Sequence, residues 1–223
     1  MIQILPSTLQ FLKKLDKNNN KPWFEANREM YEAARLNFLD FTTALIKDMS
    51  KVDPRVAGLE AKKVVFRIYR DVRFSKDKSP YKNNMGATLS KSGKNMQHAG
   101  YYLHIQPGNN SFAAAGSYHP EAAALQQIRQ EIDYNYSAFK KIITSKAFTQ
   151  WYDGIDTFDK LKTNPKGYDA DNPAIDILKN KSYIVTTVFR DAEVTAPDFL
   201  KKAVQAMKAA EPLVSFLNHA TGA

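Results

Sequence analysis

The hydrophobic period of this chain changes twice. Up to about residue 50, apolar residues recur every three or four positions; from Val64 they recur every second position; from Pro120 the longer period returns. A period near four puts side chains on one face of a helix, and a period of two puts them on one face of a strand. A chain that keeps the two apart is expected to build an α+β fold, with a mainly antiparallel central sheet flanked by N-terminal and C-terminal helices. In the first part Ser7 is read as the cap of a helix carrying Leu9, Leu12 and Leu15 on one face. Pro22 suits a first helical turn, and Trp23 and Phe24 behind it read as a core anchor. Leu36, Leu39, Phe41, Leu45 and Ile46 mark a long amphipathic helix closed at Val52 to Pro54.

Five strands are expected: Val64–Phe74, Met85–Leu89, Ala99–Ile105, Phe112–Tyr118 and Ser182–Phe189. Pro120 opens a helix with Leu125, Ile128 and Ile132 on one side, and a second helical stretch runs from Ala138 to Trp151. Residues Thr163 to Pro173 read as loop, and Pro197 opens a last helix through Phe199, Met207 and Leu217. The absence of repeats and flexible linkers leads us to expect one domain over residues 1–223.

Apolar residues make up 43% of the 223 and charged residues 25%, enough for a core. There is no cysteine, which excludes disulfides, thiolate metal sites and a cysteine nucleophile. The first residues lack a basic stretch ahead of an apolar run, and no apolar run reaches the about 20 residues of a membrane span. A cytoplasmic location, with no membrane partner, is the expectation.

The net charge of +9 is concentrated. Residues 62–82 hold eight cations (Lys62, Lys63, Arg67, Arg70, Arg73, Lys76, Lys78, Lys82) against Asp71 and Asp77, so +6 lies there. On the expected strand, Arg70 shares parity with Val64, Phe66 and Ile68, facing the core. An unpaired guanidinium is not tolerable there. The strand ends before Arg70, or Arg70 meets a carboxylate or an anionic ligand. A strand followed by a rigid, hydroxyl-rich cationic loop suits a phosphate or carboxylate. The ligand-binding set read from this segment is Arg67, Arg70, Arg73, Ser75, Lys78, Ser79, Tyr81 and Lys82. Two alternatives stand beside a small anion: nucleic acid held on the same patch, where Tyr69 and Tyr81 allow base stacking, and an Arg/Asp network that only holds the sheet.

Other motifs are weaker. Ser75 with Lys78 matches S-x-x-K, and Lys91–Gly93 resembles K-T-G, but Pro80 argues against the helix this chemistry needs. Gly86 and Gly93 with Lys94 miss phosphate-loop spacing. His98, Tyr102 and His104 share the polar parity of one strand. His98 and His104 lie about 20 Å apart along it, too far to share a metal. His104, near the basic segment, is the candidate general acid or base. His119 reads as turn chemistry and His219 as tail. Asp169, Asp171 and Asp176 read as turn and cap residues or as partners of the Arg cluster. No metal site is expected, and no pattern names a cofactor, a reaction or an oligomeric state.

Five stretches carry a resemblance: "FLKKLDKNNNKPWFEANREMY", "FRIYRDVRFSKDKSPYKNNMG", "GYYLH", "AAGSYHP" and "NPKGYDADNPAIDILKNKSY". They span nearly the whole chain, and the RDxRFSxDKSPYK segment is the most specific. The chain resembles the family called domain of unknown function 2461. At the fourth stretch that family usually has Trp where Tyr118 stands here. The resemblance implies one domain and no established activity.

Overall fold

Pro6 starts the first helix, α1 (Pro6–Lys17), where its missing N–H costs nothing. Ser7 lies inside that turn and does not cap it; the Leu5 N–H donates instead to Asn37 Oδ1 (2.9 Å). The structure is a computed structural model that describes residues 2–73, 76–95 and 97–222. Asn20 caps α2 (Lys21–Ala26) by accepting the Trp23 N–H at 3.0 Å. Phe24 is fully buried, and Trp23 packs on the core from its edge. Then comes α3 (Arg28–Met49), whose buried face carries Phe38, Phe41, Leu45 and Met49.

After one short turn of helix, α4 (Ala61–Val64), the chain reaches the meander: β1 (Met85–Leu89), β2 (Gly100–Ile105) and β3 (Ser111–Ser117). The helices α5 (Ala122–Tyr134), α6 (Tyr136–Ile143), α7 (Lys146–Thr149) and α8 (Ile175–Leu178) follow, with residues 163–173 non-helical as read. β4 (Tyr183–Phe189), α9 (Asp191–Val194) and α10 (Phe199–Ala220) complete the chain. The sheet order is β1-β2-β3-β4, antiparallel throughout, with Ala87 opposite Leu103, Leu103 opposite Ala113 and Ala113 opposite Thr187. The α+β class and the flanking helices are as the periodicity indicates.

The two faces of the sheet differ in kind. One carries Ala87, Leu89, Tyr101, Leu103, Ile105, Ala113, Ala115 and Val185, all buried. α10 packs on β3 here, and small residues on both sides (Ala113, Ala115; Ala203, Ala206, Ala210) permit close approach. The other face carries Thr88, Tyr102, His104, Phe112, Ala114 and Thr186, and among the described residues it borders a cleft and has no helix packed on it. This is the usual division of an antiparallel sheet.

The expected strand Val64–Phe74 does not form. Val64 ends α4, and beyond it the described residues of this segment make isolated bridges, Val65 with Ala87 and Tyr69 with Tyr81. The Phe66 N–H donates to Gly86 O, the Arg70 N–H to Pro80 O and the Lys82 N–H to Ile68 O (2.8–2.9 Å). Pro80 has no N–H to return to Arg70, so the Arg70–Pro80 pair makes one bond where a regular antiparallel pair makes two. Phe74 lies outside the described residues. The segment is an extended loop that crosses the outer edge of β1.

Candidate functional site

The uncovered face of the sheet is the floor of a cleft of about 790 Å³. Ligand pockets commonly run from about 300 to 1,000 Å³. Tyr102 and His104 from β2, Phe112 and Ala114 from β3, and Ile184 and Thr186 from β4 make the floor. The basic loop closes one end with Phe66, Arg70 and Lys82; Tyr118, Asp156 and Phe158 stand at the other. Alternation produces this arrangement: in β2 every even-numbered residue is half-buried and every odd-numbered one is buried.

On the floor, His104 stacks on Phe112 at 4.6 Å with 13° between the rings. His104 Nε2 lies 2.8 Å from Gln106 Oε1, and Nδ1 lies 3.1 Å from the Tyr102 hydroxyl. With the Gln106 carbonyl accepting from Nε2–H, Nδ1 accepts from the tyrosine. Burial holds the His104 ring below its usual pKa, the Gln106 bond opposes this, and Lys82 lowers it further. Burial pushes the Tyr102 phenol up to about 12. Gly86 is required beneath this pair, because a Cβ there would overlap the Tyr102 phenol.

At the basic end, Lys82 is half-buried, with its ammonium 5.4 Å from the Phe66 ring centre. Burial lowers its pKa, and the neighbours Arg67, Lys94 and Arg70 lower it further. No ion pair reaches it among the described residues. Arg70 differs. It pairs with Asp77, which is itself bonded by the Ser79 hydroxyl (2.6 Å) and N–H (2.9 Å). Those Ser79 bonds, then Arg70, hold the Asp77 carboxyl below its usual range. The Arg70 side chain is 27% exposed, so it is half-buried and not buried as the strand parity implies.

The basic segment therefore does not converge on one point. Arg67 borders a separate cavity of about 190 Å³ with Arg35, Lys62 and Lys94. Arg73 is exposed and grips Asp71 at 2.9 and 2.7 Å. The Lys78 ammonium donates to the Val72 carbonyl (2.9 Å). Tyr81 is buried, stacked on Phe24 at 4.0 Å, and its backbone is bonded through Asn19. Ser75 lies outside the described residues. Of the residues read from this segment, Arg70 and Lys82 border the cleft, and they meet His104 there.

Asp169, Asp171 and Asp176 are exposed. Asp176 pairs with Lys160 (3.5 Å), and no ion pair joins the three to the Arg cluster among the described residues. His119 sits in a turn at φ 44°, its N–H donating to Ser182 Oγ (3.0 Å), and His219 is exposed in the last turn of α10. Among the described residues, no group of three or more His, Asp or Glu is placed to hold a metal ion, and no helix is long and apolar enough to cross a membrane. Sequence reasoning missed Asp156 and Phe158. They lie in an irregular loop, and their only signal is the half-buried Ile184 and Thr186 opposite them on β4.

No curated protein and no solved structure matches the chain. The family model described as "Conserved hypothetical protein (DUF2461)" matches residues 7–216, nearly its whole length, and the chain belongs to that family.

Proposed function

We propose that the cleft on the open face of the sheet binds a small organic anion, its carboxylate or phosphate at Lys82 and Arg70 and its apolar or aromatic body over Tyr102 and Phe112. One observation carries this reading. Lys82 is a half-buried cation whose charged neighbours are Arg67, Lys94 and Arg70, all of its own sign, and it stands at the end of a cleft with no carboxylate paired to it among the described residues. Such a charge is stabilised by an incoming anion more than a solvated surface lysine is. Arg70 adds a planar donor set next to it, held in place by Asp77. His104, kept neutral by burial, offers a base on the cleft floor and supports proton transfer as the chemistry to test first if a reaction occurs.

The test is calorimetric titration with aromatic carboxylates and phosphomonoesters, using the parent chain and Lys82→Met. The expected outcome is a loss of at least about tenfold in the variant, the size of one charge-assisted contact. Equal binding by both chains would overturn the reading.

A second reading, nucleic acid, is favoured by the exposed Lys62, Arg67 and Lys94 outside the cleft. If about six phosphates were neutralised, log K would fall with log salt at a slope near −5. We expect oligonucleotide binding to vanish by physiological salt; survival there at submicromolar affinity would promote this reading over the first.

A further inference from the structure

The cleft has a second charged end. Asp156 docks along the outer edge of β4: its N–H donates to Ile184 O (2.9 Å), and Thr186 Oγ1 donates to its Oδ2 (2.6 Å). It makes no ion pair among the described residues. Its carboxyl is pushed up by burial and lowered only by the Thr186 bond; no cation acts on it. Beside it stand Tyr118 and Phe158, with ring centres 6.3 Å apart. They are 45% and 59% exposed, among the largest apolar side chains left in water. A carboxylate with aromatic faces next to it is the chemistry that recognises an ammonium group.

The topology fixes how far apart the two ends are. The basic loop crosses the edge of β1, and Asp156 lies along the edge of β4. Three inter-strand steps separate β1 from β4. At about 4.8 Å each they make about 14 Å across the sheet. Lys82 lies six residues along the chain from Thr88, which shares a register row with Thr186 beside Asp156. At about 3.4 Å per residue the two backbone positions are about 25 Å apart, and the reach of the side chains shortens this to about 15–20 Å between charges. Neither charge neutralises the other across that distance. A ligand that ended at Lys82 would leave Asp156 and its aromatic neighbours without a role in the cleft.

We propose that the cleft takes a linear dipolar ligand, with a carboxylate or phosphate against Lys82 and Arg70 and an ammonium group against Asp156, Tyr118 and Phe158. This rests on the anion-binding reading and narrows it to a class, the amino acids and amino phosphates whose two charges are separated by an apolar span. Linking the two contacts in one molecule makes the second an intramolecular event, so affinity depends on length and peaks when the span matches the cleft.

The probes are ω-aminoalkanoates of increasing chain length, with alkanoates and alkylamines of matched length as single-charge controls. Binding is read by calorimetry at neutral pH with the parent chain, Lys82→Met and Asp156→Asn, and thermal melting confirms that each variant folds. The expected result is an affinity maximum at one length, where the amino acid binds at least about tenfold more tightly than the matched alkanoate. Asp156→Asn then removes that advantage and leaves alkanoate binding unchanged. If alkanoates match the amino acids at every length while Lys82→Met still weakens both, the dipolar inference falls and the anion site stands. Alkylamines binding as well as the amino acids, with Lys82→Met inert, would overturn the anion site and the inference with it. No binding at any length would overturn both.

Discussion

The core side and the open side of the sheet each carry charges, and the two sets are finished differently. On the core side, Asp53 is 1% exposed and receives the Arg55 Nε (2.8 Å), the Arg55 N–H (3.0 Å) and the Tyr101 hydroxyl (2.9 Å). Arg55 goes on to Glu211 (3.2 Å) and Ser215 (2.7 Å) of α10. Burial pushes the Asp53 carboxyl up, but the bonds from Arg55 and Tyr101 more than offset it, and its pKa falls below the usual value. On the open side, neither Lys82 nor Asp156 makes an ion pair among the described residues, and Asp156 is bonded by the Thr186 hydroxyl. A charged group that holds a fold together has its bonds already made; one with bonds left over, facing a cleft, is a candidate ligand contact.

The sharpest way to break this comparison is to remove one cation from each side. Arg55→Met strands a buried carboxylate and is expected to cost about 3–5 kcal/mol, read by urea unfolding. Lys82→Met is expected to change stability by less than about 0.5 kcal/mol, because it removes a desolvated charge that makes no ion pair among the described residues and replaces it with an apolar chain against the Phe66 ring. Equal losses would show that both sets are structural.

A smaller effect is expected from Gly86→Ala. The new Cβ displaces the Tyr102 phenol from His104, at a cost of about 1–3 kcal/mol for overpacking. The imidazole signals of His104 in NMR should shift with it. An unshifted His104 would mean that the tyrosine does not orient the ring.

Acidity sharpens the comparison through signs. The folded pKa of Asp53 lies below its ordinary 3.8, so the stability it contributes is complete above that value and is lost as pH falls through the folded pKa. Asp156 is opposite: its folded pKa is raised, so its ionised form costs stability at neutral pH, and protonation relieves the cost as pH falls. Asp156→Asn should therefore raise the melting temperature slightly at pH 7, and the gain should fade as pH falls through the raised folded pKa and be gone below about pH 4. A variant less stable at pH 7 would mean that the carboxylate has a partner in the fold. The least change is expected from limited proteolysis. We propose that residues 1–223 behave as one unit, so two stable halves divided near residue 120 or 165 would sink that proposal.

Much of the scaffold was legible in the sequence. β1 runs over Met85–Leu89 as read, and β2, β3 and β4 begin one residue from their expected starts. Alternation on an antiparallel sheet with one dry face is a strong signal, and it also placed Tyr102 and His104 together on the wet face. The segment 64–74 defeated it. Val64 and Ile68 are buried, but Phe66 between them is half-buried like Val65 and borders the cleft, and pairing needs donors from the partner strand, of which Pro80 withholds one. The Asp53–Arg55–Glu211 network was invisible because its members are 156 residues apart and each looks like an ordinary loop or helix charge. Asp156 was missed for the same reason: only the docking of its loop on β4 brings it to the cleft.

The meander has a timing consequence. β1, β2 and β3 follow one another closely, but the strand that completes the cleft floor arrives after the 65 residues 118–182. At about 5–20 residues per second of synthesis, β3 waits several seconds with its outer N–H and C=O groups unpaired. An exposed strand edge of that kind invites pairing with another chain. The nascent protein is therefore most prone to aggregate between the emergence of Ser117 and that of Phe189, and a chain truncated ahead of β4 should be captured by chaperones where the full chain is not.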